Sequence, residues 1–155
     1  MALRTVTRAV IFILFASCFL QTPAHAEPCE TVVHALNIQL SPKIDEQELI
    51  EVLRSLNNTF NRKLPPRFVT KRDARSLGWK PGKDLWSVSA LNGSSIGGDR
   101  FRNLEARLPE RKWREADLAY KGGHRGGKRI VFSPDGTRYV TVDHYKSFVA
   151  VPACR

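Results

Sequence analysis

The apolar side chains of residues 45–60 recur at steps of three and four positions, which predicts an amphipathic helix. Acidic residues are concentrated in its first turn, where carboxylates favour the positive end of the helix dipole. One apolar face needs only a protein core to cover it, so we interpret it as core rather than as a membrane or partner surface. The apolar positions of this helix are Leu49, Ile50, Leu53, Leu56 and Phe60.

A second, shorter helix is predicted from Thr70 to Leu77 by a motif that resembles a capping box. Thr70 is the expected N-cap, and Asp73 occupies the position that is Glu or Gln in the full motif. Gly78 suits the left-handed position that follows a helix C-terminus. Lys71 falls in the first turn, where the helix dipole and its own charge both favour an anion.

The second half of the chain is predicted to form short strands. The Pro-Asp-Gly sequence at residues 134–136 is a direct turn signal and predicts a hairpin. Helices followed by an antiparallel sheet are typical of an α+β domain, so we expect N-terminal helices packed on a C-terminal antiparallel β-sheet. The predicted strands are residues 95–100, 112–120, 129–133, 137–143 and 148–151.

The N-terminus has the composition of a secretory signal peptide. Arg4 and Arg8 form a charged region, residues 9–20 are apolar, and residues 24–26 form a small-x-small cleavage site. The apolar run is shorter than the ~20 residues that a transmembrane helix needs. We therefore predict that residues 1–26 are removed and that the protein is secreted, to the cell exterior or to a periplasm.

The mature chain, residues 27–155, is predicted to fold as a single domain with residues 27–44 as an N-terminal extension. Residues 27–40 show neither a clean helical nor a clean strand period, so their structure is not assigned. Two alternatives to signal cleavage are a retained membrane anchor and lipid attachment at Cys18. After cleavage we expect no stable membrane association and a monomer.

The charge balance favours a polyanionic partner. The formal net charge of the whole chain is +10, and loss of Arg4 and Arg8 leaves +8 because all acidic residues lie downstream of them. An excess this large would speed encounter with a nucleic acid. The alternative is a general solubility charge, since many secreted proteins are basic without binding nucleic acid.

Cysteine usage agrees with an oxidising destination. Cys29 and Cys154 remain after cleavage, one near each end of the mature chain, and permit one intramolecular disulfide. We predict that this bond is a structural clasp. The spacing has no Cys-x-x-Cys, and no histidine pair shows metal-ligand spacing, so neither a metal site nor a cofactor is predicted.

Candidate chemistry lies on the last strands. Alternation along residues 112–120 places Glu115 and Asp117 on one face, where Asp117 can pair with Arg125 or Arg129. A carboxylate base, an imidazole acid and guanidinium groups are what metal-free phosphodiester cleavage requires. The alternative for the carboxylates is an ordinary cross-strand ion pair, and for the strand-end His144 a structural or merely exposed side chain.

Seven short motifs along residues 64–148 stand in an order and at a spacing that are specific for one family. They are Phe68 to Lys71, Leu77 to Trp79, Ser95 to Asp99, Leu108-Pro109, Trp113 to Asp117, Arg129-Ile130 and Asp143 to Tyr145. In these motifs the chain closely resembles the barnase-like family of secreted, guanyl-preferring microbial ribonucleases. The resemblance implies the α+β fold of that family and a metal-independent endoribonuclease activity.

The resemblance also implies the catalytic residues. Glu115 matches the general base that takes the ribose 2′-hydroxyl proton, and His144 matches the general acid that protonates the departing 5′-oxygen. Arg125 and Arg129 match phosphate-binding arginines, and Lys71 matches a lysine that stabilises the charged transition state. The implied reaction is transesterification to a 2′,3′-cyclic phosphate followed by its hydrolysis, so DNA would bind without being cleaved.

Further positions follow from the same resemblance. Asp117 matches the carboxylate that holds the arginines, and Glu105 matches the glutamate that accepts hydrogen bonds from guanine. Leu104 departs from the family, in which an arginine occupies this position. The implied substrate-binding residues are Phe101, Asn103, Glu105 and Tyr145.

The implied partners are single-stranded RNA, cleaved preferentially after guanosine, and an acidic barstar-like inhibitor protein. Two alternatives remain open at this point. One is a non-catalytic cationic RNA-binding protein that retains the ribonuclease fold, and the other is a cationic protein that acts on anionic surfaces through charge alone. Replacement of Glu115 separates these classes, because catalysis should collapse whereas charge-driven binding should persist.

Overall fold

The computed structural model describes residues 26–155, so the predicted signal peptide lies outside the described residues apart from its last position. Within residues 26–155 no helix is long and apolar enough to cross a membrane. The helices are α1 (Cys29–Gln39), α2 (Glu46–Asn58) and α3 (Lys71–Ser76), followed by single 3-10 turns at Leu85–Ser87 and Ser89–Leu91. The strands are β1 (Phe68–Val69), β2 (Ser95–Arg100), β3 (Arg114–Asp117), β4 (Arg129–Phe132), β5 (Arg138–Thr141) and β6 (Val149–Ala150).

Helix α1 occupies a segment whose sequence predicts no structure. Its apolar face is buried, but Ile38 is exposed and Asn37 is buried, and these two residues interrupt the helical period. The Asn37 side chain accepts a hydrogen bond from Ile44 N at 2.9 Å and donates one to Ile44 O at 3.3 Å. The buried Asn37 side chain therefore holds the turn after α1 by hydrogen bonds, at a position where a regular helical period would have an apolar residue.

Helix α2 confirms the helical period of residues 45–60, with one correction at its end. Asp45 caps the helix by accepting a hydrogen bond from Glu48 N at 3.1 Å. The helix ends at Asn58, and Phe60 is exposed rather than part of the apolar face. The reason is that Phe60 and Asn61 adopt left-handed backbone conformations with φ of 50° and 57°, which turn the chain out of the helix.

Helix α3 begins as the capping motif predicts. Thr70 Oγ1 accepts a hydrogen bond from Asp73 N at 3.1 Å, and Gly78 follows the helix with φ of 100°. Lys71 is the first residue of the helix, and its position is therefore fixed by the cap.

The strands form one six-stranded sheet in the order β1-β2-β3-β4-β5-β6. All neighbouring pairs are antiparallel except β1 and β2, which are parallel. The α+β prediction is confirmed, although β1 was not predicted and β3 to β6 are shorter than their predicted ranges. Strand β1 has only two residues, too few for a period to show.

The two faces of the sheet carry different groups. Ala116, Ile130 and Val140 pack with α1 and α2 in the main core. Glu115 pairs with Val131 and Asp117 pairs with Arg129, so these four residues share the opposite face. Strand alternation thus separates the main core from a face that carries the charged groups beside a smaller apolar cluster around Val131.

The chain ends are joined as the cysteine spacing predicts. Cys29 and Cys154 form a disulfide that connects the start of α1 to the C-terminal segment. Cys29 N also donates to Arg155 O at 3.0 Å, and Arg155 N donates to Glu27 O at 2.9 Å. The start of α1 is therefore held to the C-terminal residues by the disulfide and by two backbone hydrogen bonds.

Candidate active site

Glu115 lies on β3 with its side chain in the cavity and a residue exposure of only 7%. Two side chains bind its carboxylate. Lys71 Nζ donates to Oε1 at 3.2 Å, and the Tyr145 hydroxyl donates to Oε2 at 2.6 Å. The two donors hold the carboxylate in one place in the cavity, as a positioned general base requires.

The position of Lys71 depends on a carboxylate that sequence reasoning did not single out. Asp99, at the end of β2, accepts a hydrogen bond from Lys71 N at 2.9 Å and so ties the start of α3 to the sheet. Asp99 also lines the cavity. Its signal was present in the motif from Ser95 to Asp99, where it is the charged member.

Asp117 is the centre of an arginine pair. Its carboxylate accepts two hydrogen bonds from Arg125, from Nε at 2.5 Å and from Nη2 at 2.6 Å. Arg129 Nε lies 2.8 Å from Asp117 Oδ1, but its N–H does not point along this contact, which is therefore an ion pair without hydrogen-bond geometry. The predicted pairing of Asp117 thus involves both arginines.

The two arginines differ in their exposure. The Arg129 side chain is buried, and its Nη1 donates to the carbonyl oxygens of Gly126 and Lys128 at 2.7 Å each. The Arg125 side chain is a quarter exposed. Burial opposes its charge, but the hydrogen bonds and charge of Asp117 outweigh this and raise the pKa of Arg125, which stays cationic.

A glycine-rich loop carries Arg125, and one buried hydroxyl anchors it. Tyr120 OH lies 2.8 Å from Asp84 Oδ1 and 3.1 Å from Gly123 O, and it accepts a hydrogen bond from Leu85 N at 2.9 Å. Burial, followed by the hydrogen bond to Asp84, raises the pKa of Tyr120. The loop is therefore attached to the 3-10 turn at Leu85–Ser87.

His144 and Tyr145 lie together in a tight turn after β5, with φ of 62° and 69°. His144 is exposed, and its backbone N–H donates to Gly127 O at 3.1 Å. A Cβ at Gly127 would lie 3.1 Å from His144 N, so this close approach favours glycine. The backbone contact brings the histidine next to the glycine-rich loop that carries Arg125, named the arginine loop below.

Asp143 holds this turn through three hydrogen bonds. It accepts from Thr141 Oγ1 at 2.9 Å, from Ser147 N at 3.0 Å and from Ser147 Oγ at 2.5 Å. The Ser147 hydroxyl and the other donors lower the pKa of Asp143 to about 2. Sequence reasoning named Asp143 only as the neighbour of His144, because no periodic signal reports such a turn.

The Tyr145 ring links the two sides of the site. It stacks on Phe101 with 5.2 Å between ring centroids, and Arg129 Cζ lies 5.9 Å from its centroid. Burial and the hydrogen bond to Glu115 raise the pKa of Tyr145, so the hydroxyl stays protonated as a donor.

Residues 101–105, which carry three of the predicted substrate-binding residues, form a loop that we name the recognition loop, and one asparagine folds it. Asn103, with φ of 48°, donates from Nδ2 to Leu108 O at 2.7 Å and accepts at Oδ1 from Leu108 N at 3.1 Å. Leu104 and Glu105 stand out from this loop, and Leu104 is 84% exposed. Arg107 Nε donates to Glu105 Oε2 at 2.5 Å.

An open cavity of about 720 Å³ is lined both by this loop and by Glu115. It brings together six of the predicted site residues and also contains the unpredicted Arg107 and Phe148. Arg125, Arg129 and His144 are not part of its lining. The predicted residues in the lining are Lys71, Phe101, Asn103, Glu105, Glu115 and Tyr145.

Metal ligands are not grouped in the described part of the chain. Across residues 26–155 no three His, Cys, Asp or Glu side chains come together in a way that could hold a metal ion.

Comparison with known proteins gives one consistent result. A family described as ribonuclease matches residues 54–152. A protein of Bacillus pumilus named "Ribonuclease" is 36% identical over 151 residues, which cover 92% of this chain and 93% of the relative. A "Ribonuclease" of Bacillus intermedius matches to the same extent. A "Ribonuclease" of Heyndrickxia coagulans is 45% identical over 93 residues, or 58% of this chain and 84% of the relative.

Proposed function

The chain belongs to the barnase-like family of microbial ribonucleases, and on this premise we propose that it cleaves single-stranded RNA, preferentially after guanosine, through a 2′,3′-cyclic phosphate. The observation that carries the proposal is the Glu115 carboxylate, buried on the sheet between a lysine and a tyrosine donor and open to the same cavity as Glu105. A general base beside the reacting ribose and a carboxylate that recognises the nucleobase both line this cavity. Together they fit a single bound nucleotide.

In the first step Glu115 takes the proton from the ribose 2′-hydroxyl, and the 2′-oxygen attacks phosphorus. The bond from phosphorus to the 5′-oxygen breaks, and His144 as imidazolium gives its proton to the departing oxygen. The product is a 2′,3′-cyclic phosphate. In the second step neutral His144 takes a proton from a water molecule, whose oxygen attacks phosphorus. The bond from phosphorus to the 2′-oxygen breaks, and protonated Glu115 gives its proton to that oxygen, which leaves a 3′-phosphate.

The cations stabilise the charge that develops on the phosphate oxygens. Arg125 and Arg129 are held side by side by Asp117, and Lys71 reaches the site from α3. Because Asp117 and the sheet position these groups before substrate arrives, little reorganisation is needed in the transition state.

Guanine preference is assigned to Glu105. A carboxylate accepts hydrogen bonds from the adjacent N1–H and N2–H donors of guanine, whereas adenine has no such donor pair. Asn103 folds the loop that presents Glu105, and the stacked rings of Phe101 and Tyr145 offer an apolar surface beside it. Leu104 in place of an arginine removes one positive charge from this end of the cavity.

Export is part of the proposal. Residues 1–26 would direct secretion and be removed, and the Cys29–Cys154 disulfide supports an oxidising destination. The basic site also suits an acidic inhibitor protein that would protect the producing cell before export.

The test is product analysis with the dinucleotides GpU and ApU in the presence of EDTA, using oxidised protein that begins at Glu27. We expect guanosine 2′,3′-cyclic phosphate as the first product and guanosine 3′-phosphate later. Guanosine cleavage should exceed adenosine cleavage in kcat/KM. Folded protein that binds RNA without cleaving it would instead support the non-catalytic RNA-binding alternative.

Matched variants connect the activity to the site. Glu115→Gln and His144→Gln should each lower kcat by a factor of about 10²–10⁴, the usual contribution of a positioned acid or base. Glu110→Gln removes a carboxylate from an exposed position outside the cavity and should leave kcat unchanged. Unchanged cleavage by both Glu115→Gln and His144→Gln would disprove the assignment.

A further inference from the structure

Arg107 connects the recognition loop to the turn that carries His144 and Tyr145. Its Nε donates to Glu105 Oε2 at 2.5 Å, and its Nη1 donates to Lys146 O at 2.8 Å. One guanidinium therefore bridges two segments that lie 39 positions apart. No periodic or motif signal in the sequence marks this residue.

We propose that Arg107 is a specificity-determining positioning residue, which holds the Glu105 carboxylate ready for guanine and ties it to the catalytic turn. The inference rests on the proposed guanine recognition by Glu105. Arg107 acts through Glu105 and needs no contact of its own with the substrate.

The need for such a residue follows from exposure. The Glu105 side chain is 70% exposed, and apart from Arg107 the structure gives it no hydrogen-bond partner among the described residues. A glutamate this exposed would sample many rotamers, and each binding event would have to order it. The bridge orders it beforehand, because Arg107 is itself fixed at its second end by Lys146 O.

The bridge leaves Glu105 able to bind a base. An ionised carboxylate offers about four acceptor positions on its two oxygens. Arg107 takes one of them at Oε2, so Oε1 and the second position on Oε2 remain for two N–H donors.

The second end of the bridge gives Arg107 a connection to catalysis. Lys146 follows His144 and Tyr145 in the turn that Asp143 holds. A base seated against Glu105 is thereby placed at a set distance from Tyr145, which binds the Glu115 carboxylate. Loss of the bridge should consequently weaken guanine binding more than it slows the chemical step.

The experiment compares Arg107→Ala and Arg107→Lys with the unaltered protein on GpU and ApU, together with the affinity for guanosine 3′-phosphate and adenosine 3′-phosphate. In Arg107→Ala the GpU/ApU ratio of kcat/KM should fall about three- to tenfold, the effect expected when one side chain is no longer ordered in advance. The fall should lie in KM for GpU, and adenosine 3′-phosphate binding should not change. Arg107→Lys should recover part of the ratio, because it keeps the charge but replaces the two guanidinium nitrogens that reach the two acceptors with a single nitrogen on a flexible stem.

Arg111→Ala is the matched control. Arg111 is also an exposed arginine paired with a carboxylate, that of Asp135, and it lies outside the cavity. Its loss removes the same charge and should leave the GpU/ApU ratio unchanged. If Arg107→Ala kept the full ratio, or if Arg111→Ala lowered it equally, the inference would be wrong.

The same experiment separates this inference from the proposed function. No cleavage by the unaltered protein, or cleavage with no guanosine preference, would overturn the recognition by Glu105 and the inference with it. A preference that is present and survives Arg107→Ala would overturn only the inference about Arg107.

Discussion

Lys71 donates a hydrogen bond from Nζ to Oε1 of Glu115 at 3.2 Å, although 44 positions separate the two residues in the chain. The lysine begins α3 and the glutamate lies in β3, so the contact exists only when helix and sheet are packed together. The Lys71 backbone is held by Asp99, which fixes the approach of the side chain. The pair is therefore built by the fold and is available before any substrate binds.

Replacement of Lys71 should affect the chemical step. We expect Lys71→Ala to lower kcat on GpU about 100-fold, the usual result of removing one preorganised group that stabilises developing charge. The free energy of unfolding should change by less than about 1 kcal/mol, because the lysine side chain is about one-third exposed. Steady-state kinetics and urea unfolding measure the two effects. A kcat within threefold of the original value would contradict the prediction.

Replacement of Asp117 should lower the stability of the protein. Asp117→Asn leaves the buried Arg129 without its counter-charge, which should lower the free energy of unfolding by about 3–5 kcal/mol. Urea unfolding of the variant measures this loss. Arg125→Ala is the control, since it removes a more exposed partner and should destabilise less. Equal losses in the two variants would show that the buried arginine is not the cause.

The Tyr120 hydroxyl should hold the arginine loop in place. Tyr120→Phe leaves the buried Leu85 N–H and the Asp84 carboxylate without this partner, at a cost of about 1–3 kcal/mol in the free energy of unfolding. Because the contact to Gly123 O is also lost, kcat should fall several-fold with little change in KM. Urea unfolding and GpU kinetics measure both. A destabilised variant with full kcat would restrict Tyr120 to a structural task.

The disulfide should contribute to stability and not to the reaction. The bond closes a loop with a sequence separation of 125, for which the chain-entropy estimate is about 4–5 kcal/mol. The double variant Cys29→Ser/Cys154→Ser should lose up to this amount in urea unfolding and keep its kcat under native conditions. Oxidised protein treated with dithiothreitol should match the variant. Equal free energies of unfolding for the oxidised and the reduced protein would show that the disulfide does not stabilise the fold.

Asp143 should make stability depend on pH in the acid range. Its folded pKa of about 2 lies below the ordinary value of 3.8, so the ionised carboxylate stabilises the fold above about pH 4. That contribution is lost as the pH falls from about 4 to about 2. Asp143→Asn should therefore be less stable than the unaltered protein at pH 7, and the difference should shrink between pH 4 and pH 2. A difference that stays constant over this range in urea unfolding would contradict the assignment.

Local structure was predictable where it depends on neighbouring residues. The period of α2, the cap at Thr70 and the turn between β4 and β5 follow from propensities and hydrogen bonds within a few positions, and the structure confirms them. Helix α1 was not predictable in this way, because the buried Asn37 and the exposed Ile38 obscure its period. The length of α2 was predicted too long, since the left-handed turn at Phe60 has no signal in the apolar pattern.

The chemical groups of the site were likewise present in the sequence, whereas their contacts were not. Alternation placed Glu115 and Asp117 on one face, and the family motifs supplied the remaining candidates. The Arg107 bridge, the Tyr145 hydrogen bond to Glu115 and the Asp99 contact to Lys71 appear in no local pattern.

By itself, then, the sequence determined the fold class, the family and the two predicted helices, and it supplied the candidates for moving a proton or binding a phosphate. The tertiary structure decided which of these groups meet, at what distance and in what surroundings. The physical reason is the distance along the chain between the residues that interact. Helical period, caps and turns depend on residues a few positions apart, whereas the contacts of Glu115 join α3, β3 and the turn after β5, which only the packed core brings together.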